Sequence, residues 1–360
     1  MPFEFKRFKA AAVQAAPVFM DKDATIEKAC KLISEAGRNG AELIVFPETY
    51  IPTYPYWAID YSESTIFAVG AALDLYKNSV EIPSRDTDLL CEAAREANAI
   101  VVMGLNEREE KYKGTLFNTL LFINSDGKIL GRHRKLIPTL HERIFWGRGD
   151  GSDLRVFDTR IGKLGGLICY ENHMTLAKYA MAAMGEEVHC MVWPGWPTEA
   201  IDYNIQPIID AAVREYAFET QTFVISACDY ITKEMVPDTF HYKEKTCWDS
   251  GGGSSIVDPL GNYLAGPELR KETILYADID MSTRAIAKII FDAVGHYTRW
   301  DVLSLNINTQ PYTPLKPVKL HEPKKFEIDA EKIEKIAEKL DITVEKINAL
   351  IKELEKIEKQ

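Results

Sequence analysis

A chain of 360 residues, 46% apolar and 27% charged, has the balance of a globular protein with a sizeable core, which excludes disordered and collagen-like classes. Its formal charge of −11 disfavours nucleic acid as a partner, because phosphate binding needs clustered Lys and Arg. No run of about 18 apolar residues occurs, so no membrane span is expected, and the short apolar stretch near the start meets Pro17 and Asp21 rather than a cleavage region. A cytoplasmic protein is the expectation.

Residues 8–16 are apolar and predict a strand. The segment DKDATIEKACKLISEAGRNG then offers an Asp cap, apolar positions at helical spacing and a closing Gly40, and so predicts a helix. Residues 43–46 predict a short buried strand that ends at Pro47, leaving Glu48 at its C-terminal edge. SRDTDLLCEAAREANA predicts a second capped helix, followed by strands over 100–105 and 116–123. A turn at 124–127 returns the chain through 128–136.

Further strands are predicted over 163–168, 189–193 and 223–227, with helices over 175–184 and 205–220. This alternation argues an α/β fold, and the hairpins near Ser125 and over 258–262 imply mixed sheets. After Asp280 the alternation fades. Residues 1–310 therefore read as one domain, 311–323 as a Pro-rich linker and 324–360 as a Lys/Glu-rich helical tail. In the tail, Ile333, Ile336 and Leu340, then Ile347, Leu350, Leu354 and Ile357, form two apolar stripes separated at 341–343, which predicts two short amphipathic helices.

Six cysteines (Cys30, Cys91, Cys169, Cys190, Cys228 and Cys247) lie scattered without a CxxC pair, so neither a disulfide framework nor a zinc cluster is indicated. Cys169 stands out because it ends an apolar strand and a polar turn leads from it towards a helix. Such turns present nucleophiles at a sheet edge beside backbone amides that stabilise developing negative charge. The same position also suits a small core residue, so the feature alone does not decide.

Glu48, Lys135 and Glu142 are ionisable residues at predicted strand edges or in the loops beyond, although each also reads as an ordinary surface charge. A rival pairing of Cys169 with His173 or His189 is less favoured, since His173 suits the helix start and His189 the core or an interface. His133 and His141 flank Lys135 without metal-ligand spacing, so no metal is expected, and no cofactor. GDGS at Gly149 and the glycines at 251–253 lack a phosphate-loop context and read as loops.

Three contexts, VFPETYIPTYPYW, HRKLIPTLHERIFWGRGDGSDL and GGLICYENHMTLAKYAMAAMGEEVHCMVWPGW, closely resemble the active-site segments of the nitrilase superfamily. The resemblance runs from about Lys9 to about Asn306 and includes AAVQAAP and GHYTRWDVLSL; the segment after His321 lies outside it. It implies a four-layer αββα sandwich with two mixed sheets. It also implies Cys169 as nucleophile, Glu48 as general base, Lys135 as catalytic lysine and Glu142 as second glutamate. Tyr170 stands where the family often has Trp, which bears on substrate fit. Tyr54, Tyr170, Trp193 and Pro194 are the implied pocket residues, with simple packing as their alternative.

The chemistry is consistent with these residue types. A free thiol of pKa about 8.5 needs a base or a cation to become a nucleophile at neutral pH. A fixed ammonium can stabilise the charge that builds on nitrogen. The resemblance implies hydrolysis of a small organic nitrile to an acid and ammonia, with water as second substrate. A cyanide-degrading enzyme, an amidase or a carbamoylase is the alternative, and a non-catalytic scaffold is disfavoured because all four positions are filled. The family's habit of self-association implies a homo-oligomer, a dimer or a longer spiral filament.

Overall fold

The computed structural model describes residues 4–60, 65–111, 113–195, 206–246, 248, 250–313, 335, 339 and 343–357. Two six-stranded sheets organise the first of two compact units, Met1–Tyr312. One sheet contains β1 (Arg7–Gln14), β2 (Leu43–Val45), β3 (Ile100–Arg108), β4 (Leu116–Ile123), β5 (Ile129–Arg134) and β12 (Thr273–Asp280), in the order β12-β1-β2-β3-β4-β5. The other contains β6 (Phe157–Thr159), β7 (Gly162–Ile168), β8 (Val188–Trp193), β9 (Phe223–Cys228), β10 (Gly252–Val257) and β11 (Tyr263–Leu269), in the order β11-β10-β9-β8-β7-β6. Each has three parallel strands, β1–β3 and β7–β9, flanked by antiparallel neighbours.

The period of two in β1 shows why layers form. Ala10 and Ala12 join Val45, Val102 and Phe122 in a core shared with Leu164, Ile168, Val192 and Ile225 of the opposite sheet. Ala11 and Val13 face the other way, into a core with Ile26, Ile33, Leu90 and Ala94. Those four come from α1 (Lys22–Arg38) and α3 (Arg85–Glu96), which cover the outer face of the first sheet. Asp21 caps α1 by accepting from the Ala24 amide at 3.0 Å, and Ser84 and Thr87 cap α3 reciprocally. On the second sheet, Ala180 and Met181 of α4 (Thr175–Ala183) and Ile209 and Val213 of α5 (Gln206–Thr220) complete the layering. The result is the expected αββα sandwich.

Two helices depart from the sequence reading. α2 (Thr65–Lys77) was not anticipated, because TIFAVGAALDLYK is apolar on nearly every side and carries little periodic signal. α6 (Met281–Ile290) occupies the stretch where alternation was expected to fade; Asp280 caps it by accepting from the Ser282 amide at 2.9 Å. Ile286, Ile289 and Ile290 are exposed on it while Met281 and Ala287 are buried, so much of its apolar side is left uncovered. In the second unit, Thr313–Gln360, the later predicted stripe falls on α7 (Val344–Ile357). The expected stripe at Ile333, Ile336 and Leu340, and nearly all of the Pro-rich linker, lie outside the described residues. Among the described residues no helix is long and apolar enough to cross a membrane.

Candidate active site

Glu48 is held by a crossing that only glycine permits. β2 leads into Phe46, whose amide donates to the Val102 carbonyl at 2.8 Å, and the chain then passes directly over β3 at Gly104. A Cβ at Gly104 would lie 1.9 Å from the Pro47 carbonyl oxygen and 2.8 Å from the Thr49 nitrogen. Thr49 itself takes a left-handed φ of 46°. Glu48 is thereby fully buried.

Lys135 is the residue after β5, and its amide still donates to the Asn118 carbonyl of β4 at 2.8 Å. Its ammonium is buried and donates to Glu48 Oε1 at 3.0 Å and to Glu142 Oε2 at 2.8 Å. Glu142 lies in a single 3-10 turn, Leu140–Ile144, where the Thr139 amide donates to Oε2 at 2.7 Å and the Tyr54 hydroxyl to Oε1 at 2.8 Å. Asn118 Nδ2 donates to Glu48 Oε1 at 2.6 Å, while Glu48 Oε2 is buried with no hydrogen-bond partner among the described residues.

Cys169 directly follows β7 with a φ of 54°, a conformation that non-glycine residues rarely adopt and that is commonest at functional sites. Asn172 Nδ2 donates to its carbonyl at 2.8 Å. Its sulfur and one oxygen each of Glu48 and Glu142 lie within 4.8 Å of one another. The structure therefore brings Cys169, Glu48, Lys135 and Glu142 together from both sheets. This carboxylate and thiol set could in principle ligate a metal, but the Lys135 ammonium already stands between the two carboxylates. A second cation there would face direct repulsion.

Burial shapes the electrostatics. It raises the Glu48 carboxyl to about 7, with Lys135 pulling it down and Glu142 pushing it up. Burial would lower the Lys135 ammonium, but Glu48, Cys169 and Glu142 outweigh it and hold the lysine well above its ordinary range. Burial likewise drives the Cys169 thiol well upward, only partly countered by Lys135. The resting state is therefore a neutral thiol beside a permanent ammonium.

Of the expected pocket residues, Tyr54 is buried and bonded to the cluster through Glu142. Trp193 and Pro194 close β8, the strand beside β7, and both are buried. Tyr170 differs: its side chain is 60% exposed and its ring lies 5.2 Å from that of His173, although its backbone adjoins the nucleophile. His189 is a core residue, held between Glu186 and Asn172 at 2.8 Å each and stacked on Tyr216.

Sequence reasoning missed Asn118 and Glu171. A polar residue inside the apolar strand LFNTLLFI was the available signal for Asn118. Glu171 lies in the nucleophile turn, fully buried, and pairs with His133 Nε2 at 2.9 Å. A buried carboxylate two residues after a nucleophile needs partners from elsewhere in the fold, which the linear sequence does not reveal.

A buried thiol, two buried carboxylates and an ammonium gather at the edge of an αββα sandwich, an arrangement that suits a hydrolase. Residues 9–288 match the carbon-nitrogen hydrolase family, and the chain belongs to it. It is 42% identical over 317 residues to an aliphatic nitrilase of Rhodococcus rhodochrous, covering 86% of this chain and 84% of that one. It is 38% identical over 342 residues to nitrilase 2 of Arabidopsis thaliana, covering 90% and 95%. A carbon-nitrogen hydrolase from Helicobacter pylori, 22% identical, shares the fold with a TM-score of 0.66 over 82% of this chain and 97% of that one.

Proposed function

We propose that this protein is a nitrilase that converts a small organic nitrile and two waters into a carboxylic acid and ammonia. The observation that carries the reading is the Lys135 ammonium bridging Glu48 and Glu142, with the Cys169 sulfur within 4.8 Å of a carboxylate oxygen of each. The names of the two nitrilase relatives support the substrate class.

The free Oε2 of Glu48 is the natural acceptor for the Cys169 proton, since a thiol with a raised pKa does not ionise unaided. As sulfur bonds to the nitrile carbon, one C–N π pair moves to nitrogen, where the Lys135 ammonium stabilises it. Return of the proton from Glu48 gives a thioimidate. Glu48 then takes a proton from water as the hydroxide adds to the same carbon and returns it to nitrogen; the new hydroxyl proton passes through Glu48 to the same nitrogen as the carbonyl forms, and ammonia leaves with the C–N pair, which restores the Glu48 carboxylate. A second water, activated in the same way, cleaves the thioester and frees the thiol. Glu142 fixes the ammonium, held in turn by Tyr54 and the Thr139 amide.

Tyr54, Trp193 and Pro194 are assigned to the pocket wall and Tyr170 to its rim, in a catalytic domain ending near residue 310 and followed by a linker and a helical tail. The five cysteines among the described residues are free thiols, which supports a reducing, cytoplasmic setting. Exposed Leu176, Phe218, Ile289, Tyr297 and Trp300 support self-association.

A panel of aliphatic, aromatic and arylacetic nitriles, their amides and free cyanide, with ammonia, acid and amide each quantified, tests the reading. Equal acid and ammonia from a nitrile is expected. Turnover of amides alone would overturn it.

A further inference from the structure

We propose that Glu171 is a positioning residue that locks the lysine strand and the nucleophile turn into one register. Its Oε1 accepts from the amide of Leu136, the residue after Lys135, at 2.7 Å. Its Oε2 accepts from the amide of Ile168, the residue before Cys169, at 2.9 Å. The same Oε2 lies 2.9 Å from Nε2 of His133, two residues before Lys135. One buried carboxylate thus touches the chain on both sides of the lysine and immediately before the cysteine, although Lys135 follows a strand of the first sheet and Cys169 a strand of the second.

Among the described residues no hydrogen bond of a β-ladder joins the two sheets, so side-chain contacts must set the distance between the two catalytic groups. Packing of apolar residues fixes a sheet separation but tolerates sliding. Three directed bonds to one carboxylate do not, because its two oxygens have fixed geometry and charge-assisted bonds are short. Glu171 is fully buried and reaches neither the Cys169 sulfur nor the Lys135 ammonium by any hydrogen bond, which separates its role from that of Glu48 and Glu142. Burial works against its ionised form, while His133 and the Leu136 and Ile168 amides favour it more strongly.

The clamp rests on the nitrilase reading for its activity assay, but alkylation of Cys169 offers a readout free of any nitrile. Glu171→Gln keeps the size of the side chain yet has one accepting oxygen, so its NH2 must meet either the Leu136 or the Ile168 amide donor to donor. We expect kcat to fall about 10- to 100-fold with KM within about threefold, because a misplacement near 1 Å costs rates of that order. Iodoacetamide modification of Cys169, followed by peptide mass spectrometry, should show a displaced pH profile, while the buried Cys190 and Cys228 stay unmodified as in the parent.

His133→Leu is the second variant, useful if Glu171→Gln does not fold. It leaves both amide bonds and removes the third contact, so a smaller fall in kcat, about three- to tenfold, and a displaced alkylation profile are expected. Parental kcat and alkylation in a folded Glu171→Gln or His133→Leu protein, even with lowered thermal stability, would make Glu171 a scaffold residue and overturn the proposal. A parent inert towards every nitrile, with alkylation still displaced in the variants, would sink the nitrilase reading and leave the clamp standing.

Discussion

Replacing Lys135 with Met roughly preserves the bulk of the side chain and removes the charge together with the hydrogen bonds to Glu48 and Glu142. An ammonium about 4 Å from a nitrogen that gains a full negative charge contributes about 4 kcal/mol at the effective dielectric of a protein site, roughly 10³ in rate. A second effect adds to the first. Glu48 and Glu142 keep oxygens within 4.8 Å of each other, and without the bridging cation two carboxylates at that distance repel by about 3.5 kcal/mol or more. One proton is then retained between them at neutral pH, and the base is lost. The variant should show at least about a 10³-fold fall in kcat, measured as ammonia release. It should also be most stable at low pH, because the folded pair binds a proton that the unfolded chain releases above its ordinary carboxylate value, and stability declines as pH rises. Activity within tenfold of the parent, or stability that rises with pH, would refute this account of the charge pair.

In the proposed mechanism Glu48 works only as the anion, and burial raises it to about 7, so kcat/KM should rise as pH increases through about 7. Its folded value lies above the unfolded 4.5, so this group should also make folding stability decline between about 4.5 and 7, which urea titrations at several pH values would detect. Asn118→Leu removes the 2.6 Å donor to Glu48 and should move the acid limb to higher pH; an unmoved limb would assign that limb to another group. Cys169→Ala should abolish turnover and the covalent adduct while the fold persists, and an adduct found on Cys190 or Cys228 would reassign the nucleophile. Gly104→Ala places a Cβ 1.9 Å from the Pro47 oxygen, so a stability loss of about 1–3 kcal/mol or more and a displaced Glu48 are expected, read by denaturant unfolding and by kcat.

Local patterns carried the layers. Apolar runs marked β1 and β7 because these strands are buried on both faces, and helical spacing with Asp and Ser caps marked α1 and α3 because each helix buries one face. α2 escaped because its apolar residues are not confined to one face; α6 carries an Asp cap and a one-sided apolar pattern, so its signal was present although the alternation of strands and helices ends there. Cys169, Glu48, Lys135 and Glu142 could be singled out because they lie at strand ends or in the loops beyond, within segments that resemble a known family. What the linear order could not hold is the meeting of those groups. Lys135 finds Glu48 across 87 positions because β2 and β5 lie in one sheet, and Glu171 finds His133 across 38 because the two sheets stack; strand order and sheet stacking are both decided by the tertiary fold. The pKa of Glu48 belongs to the same category: its residue type sets the ordinary value, but complete burial among Lys135, Glu142 and Asn118 shifts it, and burial is a property of the assembled fold.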